Sequence, residues 1–179
     1  SSKDGHRIYI RGILYIMAKA LNEVYPEALL SVNYQLSSAM FCKIDNMEIT
    51  DEMIAKVKAR MQEIINQNLE IRKVVMTKEE AEEFYSNEKT LRGIVQIDNT
   101  QKEGVSLYYC EDYFNYFFGV MPVTTAYTDV FDVIKYGDGF LVRYPSAEKP
   151  NELTNYKSNK KLLSTLEEYE DIHRVLQID

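Results

Sequence analysis

The sequence is poor in the residues that most often carry chemistry. It has two histidines, His6 and His173, near opposite ends of the 179 residues. No histidine-rich zinc or other divalent-metal cluster is therefore expected. It has two cysteines, Cys42 and Cys110, in no C-x-x-C arrangement. They are expected as reduced, buried thiols, with a disulfide between them as the alternative. Seven glycines never fall into the Gly-x-x-x-x-Gly-Lys-Ser/Thr pattern, so no loop is built to cradle nucleotide phosphates. No apolar run approaches the ~20 residues of a membrane helix, and no internal repeat or low-complexity tract is present.

What is there describes one ordinary folded domain with an appendage. Hydrophobic residues make up 45% and charged residues 27%, a globular composition. The net charge of −7 disfavours broad electrostatic capture of nucleic acid. The opening, Ser1 to His6, carries neither an initiator Met nor an apolar signal core. It reads as a cut edge of a longer cytoplasmic protein.

Periodicity supplies the elements. Ile13, Ile16, Met17, Ala20, Leu21 and Val24 recur at helical spacing, and Pro26 stops that helix. Leu30 to Leu36 alternates as a strand and Met40 to Ile44 follows, an antiparallel hairpin. Thr50 is a good N-cap for a helix with Ile54, Val57, Met61, Ile64 and Ile65 inside and Lys56, Lys58, Arg60 and Glu63 outside. Leu69 to Met76 reads as a strand. Thr77 and Glu80 form a capping box for a short helix to about Tyr85, its acidic start favoured by the helix dipole. The stretch Glu88 to Gln96 is ambiguous.

Val105 to Tyr109, Thr128 to Tyr136 and Phe140 to Tyr144 are further strands. The last two are joined by Gly137, Asp138 and Gly139, where Asp-Gly supplies the positive φ of a tight turn. A polar loop and a closing helix from about Lys160, with Leu162, Leu166, Tyr169 and Leu176 along one side, end the chain. Helices interleaved with hairpins, without β-α-β alternation, imply an α+β fold with a mostly antiparallel sheet. The expected division is 1–145 for this domain and 146–179 for the loop and closing helix.

Several segments also carry a resemblance. Arg11 to Ala20 followed by Val24, Tyr25 and Pro26 aligns with a His-x-x-x-His helix that ends in Tyr-Pro. Ile49, Thr50, Asp51 and Glu52 match an Ile-Thr-x-Glu helix start. Ser106, Leu107 and Tyr108 match a Ser-Leu-Tyr strand that precedes a Cys-x-x-x-His motif, and Val123, Thr124 and Thr125 resemble the Pro-Ser-Thr after it. From Arg11 to Pro145 the chain thus resembles the editing domain of threonyl-tRNA synthetases, shared with alanyl-tRNA synthetases. In that frame Arg11 and Tyr15 stand at the first two histidines, Phe117 at the cysteine and Met121 at the third. Asn115 stands where the synthetases commonly have Asp.

Those replacements remove the family's chemistry. Phe117 is neither base nor ligand, Tyr15 is a poor base at neutral pH, Met121 is a weak ligand, and Arg11 stays charged. The resemblance implies the shape without the ester hydrolysis.

A second resemblance is to bacterial uridine kinase-like proteins that carry such a domain ahead of their kinase. Tyr113 to Met121 is similar to their Asp-Tyr-Phe-Tyr-Gly-x-Met stretch, and Gly139 to Pro145 to their Gly-Phe-x-Leu-Arg-x-Pro. It implies a non-catalytic ligand-binding or regulatory domain whose partner is its own C-terminal kinase domain. ATP and Mg would belong to that domain, and this portion would need no cofactor. The ligand, a nucleoside or nucleotide, would meet Arg11, Tyr15, Tyr113, Asn115, Phe117 and Met121. Seven of the eleven residues from Tyr108 to Phe118 are aromatic, which suits either a packed strand or a stacking pocket. The alternatives are a structural or homo-oligomerising module built on the closing helix, and an aminoacyl-tRNA-binding or deacylating domain, which the charge disfavours.

Overall fold

The structure is a computed structural model that describes residues 2–87, 105–116 and 119–155. The ambiguous stretch at 88–96, Phe117 and the closing helix lie outside the described residues.

The elements run α1 (Ser2–Val24), β1 (Leu30–Gln35), β2 (Ala39–Ile44), α2 (Asp51–Gln67), β3 (Arg72–Met76), α3 (Lys78–Asn87), β4 (Val105–Cys110), β5 (Tyr113–Tyr116), β6 (Asp132–Tyr136) and β7 (Gly139–Arg143). The fold is α+β and every strand pair is antiparallel, as the patterning indicated. The strands form two sheets rather than one. One has the order β1-β2-β7-β6 and the other β3-β4-β5. Pattern reading finds strands but does not say which pair across sequence-distant loops.

The main core lies between the four-stranded sheet and the pair α1 and α2. Ile13, Ile16, Met17 and Leu21 of α1 meet Ile54, Val57, Met61 and Ile64 of α2 over Met40, Cys42, Val133, Phe140 and Val142. Pro26 has no amide proton to continue α1, and the chain turns there, with the Ala28 amide on the Tyr25 carbonyl. The Thr50 side chain accepts from the Met53 amide and so caps α2, while Asn68 in the left-handed region closes its far end. Thr77 and Glu80 cap α3 reciprocally. Both cysteines are free and buried.

Three sequence boundaries shift. The strand expected from Leu69 starts at Arg72, because residues 69–71 instead pair with 123–125: Ile71 donates to the Val123 carbonyl and Thr125 to that of Leu69. Of Thr128 to Tyr136 only Asp132–Tyr136 is strand, since a single 3-10 turn at Thr125–Tyr127 occupies the approach. The β6–β7 turn is Gly137–Asp138, with Tyr136 opposite Gly139 and the positive φ on Gly137. That is the two-residue turn with Gly first, not the Asp-Gly turn. Gly139 is instead the first residue of β7, where a Cβ would collide with the Cys42 carbonyl and the Phe41 ring.

The basic residues on the outer face of α2 are closed on acidic neighbours: Lys56 on Glu52, Lys58 on Asp132, and Arg60 on Glu23 and Glu63. This is the solvated, ion-paired face that helical spacing suggests.

Candidate functional site

One face of α1 presents Arg11, Tyr15, Lys19 and Glu23 at four-residue intervals. It faces β3-β4-β5 and the segment from Gly119 to Thr125. Thr125 fixes that segment. Its fully buried hydroxyl donates to the Ile64 carbonyl at 2.7 Å and accepts from the Leu69 amide at 2.8 Å, tying it to the end of α2 and the approach to β3.

Tyr15 stands at the centre and is 0% exposed. Its single phenolic proton is shared between the carbonyls of Tyr108, at 3.1 Å, and Tyr113, at 3.2 Å. Its ring meets that of Tyr113 edge-on at 5.3 Å. Met121 is 6% exposed and packs with Tyr15, Ile71, Tyr108 and Cys110 in a small cluster of its own. Thus Tyr15, Tyr113 and Met121 are brought together, in side-chain packing.

Asn115 sits at the half-buried edge. Its Nδ2 donates to the Tyr113 hydroxyl at 2.7 Å, and its Oδ1 accepts from the Tyr116 amide at 2.8 Å. Tyr113 and Asn115 are thereby oriented by each other. Phe117 lies outside the described residues.

Arg11 lies at the mouth of this cluster. Its Nη1 donates to the Val120 carbonyl at 3.2 Å, and its guanidinium covers Gly119, where a Cβ would collide with it. Gly119 has φ +85°, and its carbonyl accepts from the Tyr108 hydroxyl at 2.9 Å. Among the described residues no carboxylate pairs with Arg11. Burial pushes the Tyr108 phenol up, opposed by the nearby Arg11 charge.

One turn deeper, Lys19 is a residue that sequence reading passed over. Its ammonium is 0% exposed and lies between Glu23, at 2.6 Å, and Glu111, at 3.0 Å. Glu111 opens the β4–β5 turn with φ +55°. Burial alone would lower the Lys19 pKa. The hydrogen bonds to Glu23 and Glu111 outweigh it, and the net shift is upward. The Glu23 carboxyl is likewise raised by burial but brought below its usual value by Arg60 and Lys19. Burial pushes the Cys110 thiol up, which disfavours the nucleophilic thiolate. The signal available in sequence was the i, i+4 run Arg11, Tyr15, Lys19 and Glu23, with Lys19 four residues before a carboxylate.

Chemically this is a closed aromatic floor with a cationic rim. Among the described residues no group of three or more His, Cys, Asp or Glu could hold a metal ion. Nor is any described helix long and apolar enough to cross a membrane.

No family model matches the chain. It is distantly similar to threonine–tRNA ligases. The enzyme of Thermoplasma volcanium is 27% identical over 176 residues, 93% of this chain and 26% of that protein. That of Clostridium acetobutylicum is 29% identical over 96 residues, 53% of this chain and 15% of that protein. That of Paenarthrobacter aurescens is 32% identical over 88 residues, 49% of this chain and 13% of that protein. The chain thus spans about a quarter or less of the length of these relatives. The likeness agrees with the α+β, editing-domain-like architecture.

Proposed function

We propose that this chain is a catalytically silent domain of the tRNA-editing type that serves a longer protein as a ligand-binding or regulatory module. The observation that carries the reading is Tyr15. At the position that the resemblance assigns to a motif histidine stands a fully buried phenol whose proton is held by two backbone carbonyls. Buried there, it presents neither a base nor a ligand to solvent, and Met121 is buried in the same cluster. What remains accessible is the rim. Arg11 has a guanidinium without a carboxylate partner among the described residues, and Tyr113, beside Tyr15, and the Asn115 bonded to it are half-buried. A phosphate-bearing ligand such as a nucleotide suits that rim. The parent protein on this reading is a nucleoside kinase acting on uridine or a relative. ATP and Mg would be bound by its C-terminal kinase domain, in the cytoplasm.

A thermal-shift panel tests this with UMP, UTP, uridine, threonine, serine and unacylated tRNA. A ligand at ~100 times its Kd adds about 2.7 kcal/mol, a shift of roughly 5–10 °C at ~2–4 °C per kcal/mol. A shift with UMP or UTP that Arg11→Ala abolishes is the expected result. No shift with any of them would favour a purely structural or dimerising module. A second reading, a tRNA-binding domain without hydrolysis, is favoured by the breadth of the Thermoplasma volcanium likeness, 93% of this chain. A shift with tRNA alone would establish it in place of the first.

A further inference from the structure

A second concave site lies away from Arg11 and Tyr15, beside the first turns of α1. It is a cavity of about 320 Å³ between α1, the 3-10 turn and the chain beyond β7, lined among others by His6, Tyr9, Tyr127, Asp129, Ser146 and Asn151. That volume is at the lower end of small-molecule sites.

Its walls differ in how free they are. The Tyr9 hydroxyl donates to the Val130 carbonyl at 2.6 Å and accepts from the Val130 amide at 2.7 Å. It is therefore spent, and Tyr9 offers the cavity its ring. Tyr127, 46% exposed, stands 5.8 Å from that ring at a tilt of 50°. His6 Nε2 lies 3.1 Å from the Pro145 carbonyl, which can only accept, so in the neutral ring this nitrogen carries the proton and Nδ1 is the acceptor. Asp129 brings a carboxylate that no cation pairs with among the described residues. No lysine or arginine is among the described residues lining the cavity.

The Tyr9 and Tyr127 rings, tilted against each other, make one aromatic wall that favours a flat ring. A carboxylate and a bare imidazole nitrogen favour N–H donors on it. The absence of a basic residue in the wall disfavours an anion. We propose that this cavity binds a small planar heteroaromatic amine without a phosphate, the chemistry of an amino-bearing nucleobase or nucleoside. Its charge preference is opposite to that of the Arg11 rim, so the two sites sort phosphorylated from unphosphorylated ligands.

The experiment is an NMR titration of the whole chain with adenosine, inosine and AMP, following backbone amides that include Gly5, Tyr127, Asp129 and Asn151. Adenosine should give saturable shifts at these amides. Inosine, which has a carbonyl in place of the exocyclic amine, and AMP should each bind several-fold more weakly. Tyr127→Ala, at an exposed ring whose loss spares the core, should weaken adenosine about tenfold, the order found when one base–aromatic stack is removed. Asp129→Asn should erase the preference of adenosine over AMP. Arg11→Ala should leave adenosine unchanged, which separates failure here from failure at the rim. Absence of saturable shifts at millimolar adenosine, AMP binding as tightly as adenosine, or full affinity in Tyr127→Ala would overturn the proposal.

Discussion

Replacing Tyr15 separates its two contributions. The side chain is fully buried, packs in a cluster with Ile71, Tyr108, Cys110 and Met121, and shares one proton between two carbonyls. Tyr15→Phe keeps the ring and removes the hydroxyl, leaving the Tyr108 and Tyr113 carbonyls short of that donor. The expected cost is about 1–2 kcal/mol. Tyr15→Ala removes the ring as well and opens a void between α1 and the three-stranded sheet. By analogy with other buried aromatic truncations it should cost about 3–5 kcal/mol, a fall in Tm of roughly 6–20 °C at ~2–4 °C per kcal/mol. Urea denaturation followed by circular dichroism measures both, and an unchanged m-value would confirm that stability alone has moved. A Tyr15→Ala variant within about 1 kcal/mol of the parent would refute the reasoning, because a side chain lining an open cleft leaves no void when truncated.

Three further outcomes follow from the same geometry. Lys19→Met removes a buried ammonium from between Glu23 and Glu111. Since Glu111 is half exposed and can be resolvated, the cost should be about 1–3 kcal/mol by thermal melt. Glu23 has a pKa below its ordinary 4.5 in the folded state, so its contribution is present above that pH and is lost as pH falls through the folded value. The Tm gap between the parent and Lys19→Met should therefore narrow below about pH 4.5, and a constant gap would contradict the pairing. Thr125→Val strands the Ile64 carbonyl and the Leu69 amide and should cost about 1–3 kcal/mol in the same melt. Gly12→Ala brings a Cβ to 2.5 Å from Pro122 Cγ and 2.8 Å from Thr128 Cγ2. Despite alanine's helix propensity it should destabilise by about 1 kcal/mol in urea, overpacking outweighing the gain.

Local physics was legible in the sequence and non-local pairing was not. The α2 cap at Thr50, the capping box at Thr77 and Glu80, the stop at Pro26 and the buried stripes of α1 and α2 depend on neighbours within four residues, and all are present. The split into two sheets depends on which strands meet across long loops, and residues 69–71 pair with 123–125 for reasons that neither segment carries alone. At the site, sequence reading grouped Arg11, Tyr15, Tyr113, Asn115, Phe117 and Met121 as a ligand-binding cleft; of those described, Tyr15, Tyr113 and Met121 pack together, Asn115 bonds to Tyr113, and Arg11 lies against Gly119 and Val120. It said nothing of Lys19, because a lysine at that spacing resembles a helix-surface charge until the β4–β5 turn brings Glu111 over it. Thr125 of the Val123-Thr124-Thr125 segment has a structural task, two hydrogen bonds that lock the segment, which the motif alone did not disclose.

The most direct test of a silent editing-type domain is the hydrolysis of seryl-tRNA, followed as loss of the labelled ester over time with and without the chain. The expected result is a rate equal to that of the uncatalysed control, since Tyr15 and Met121, which the sequence resemblance sets against two motif histidines, are held in packing. A rate clearly above the control, reduced by Arg11→Ala or Tyr15→Phe, would contradict it and return the chain to the deacylases.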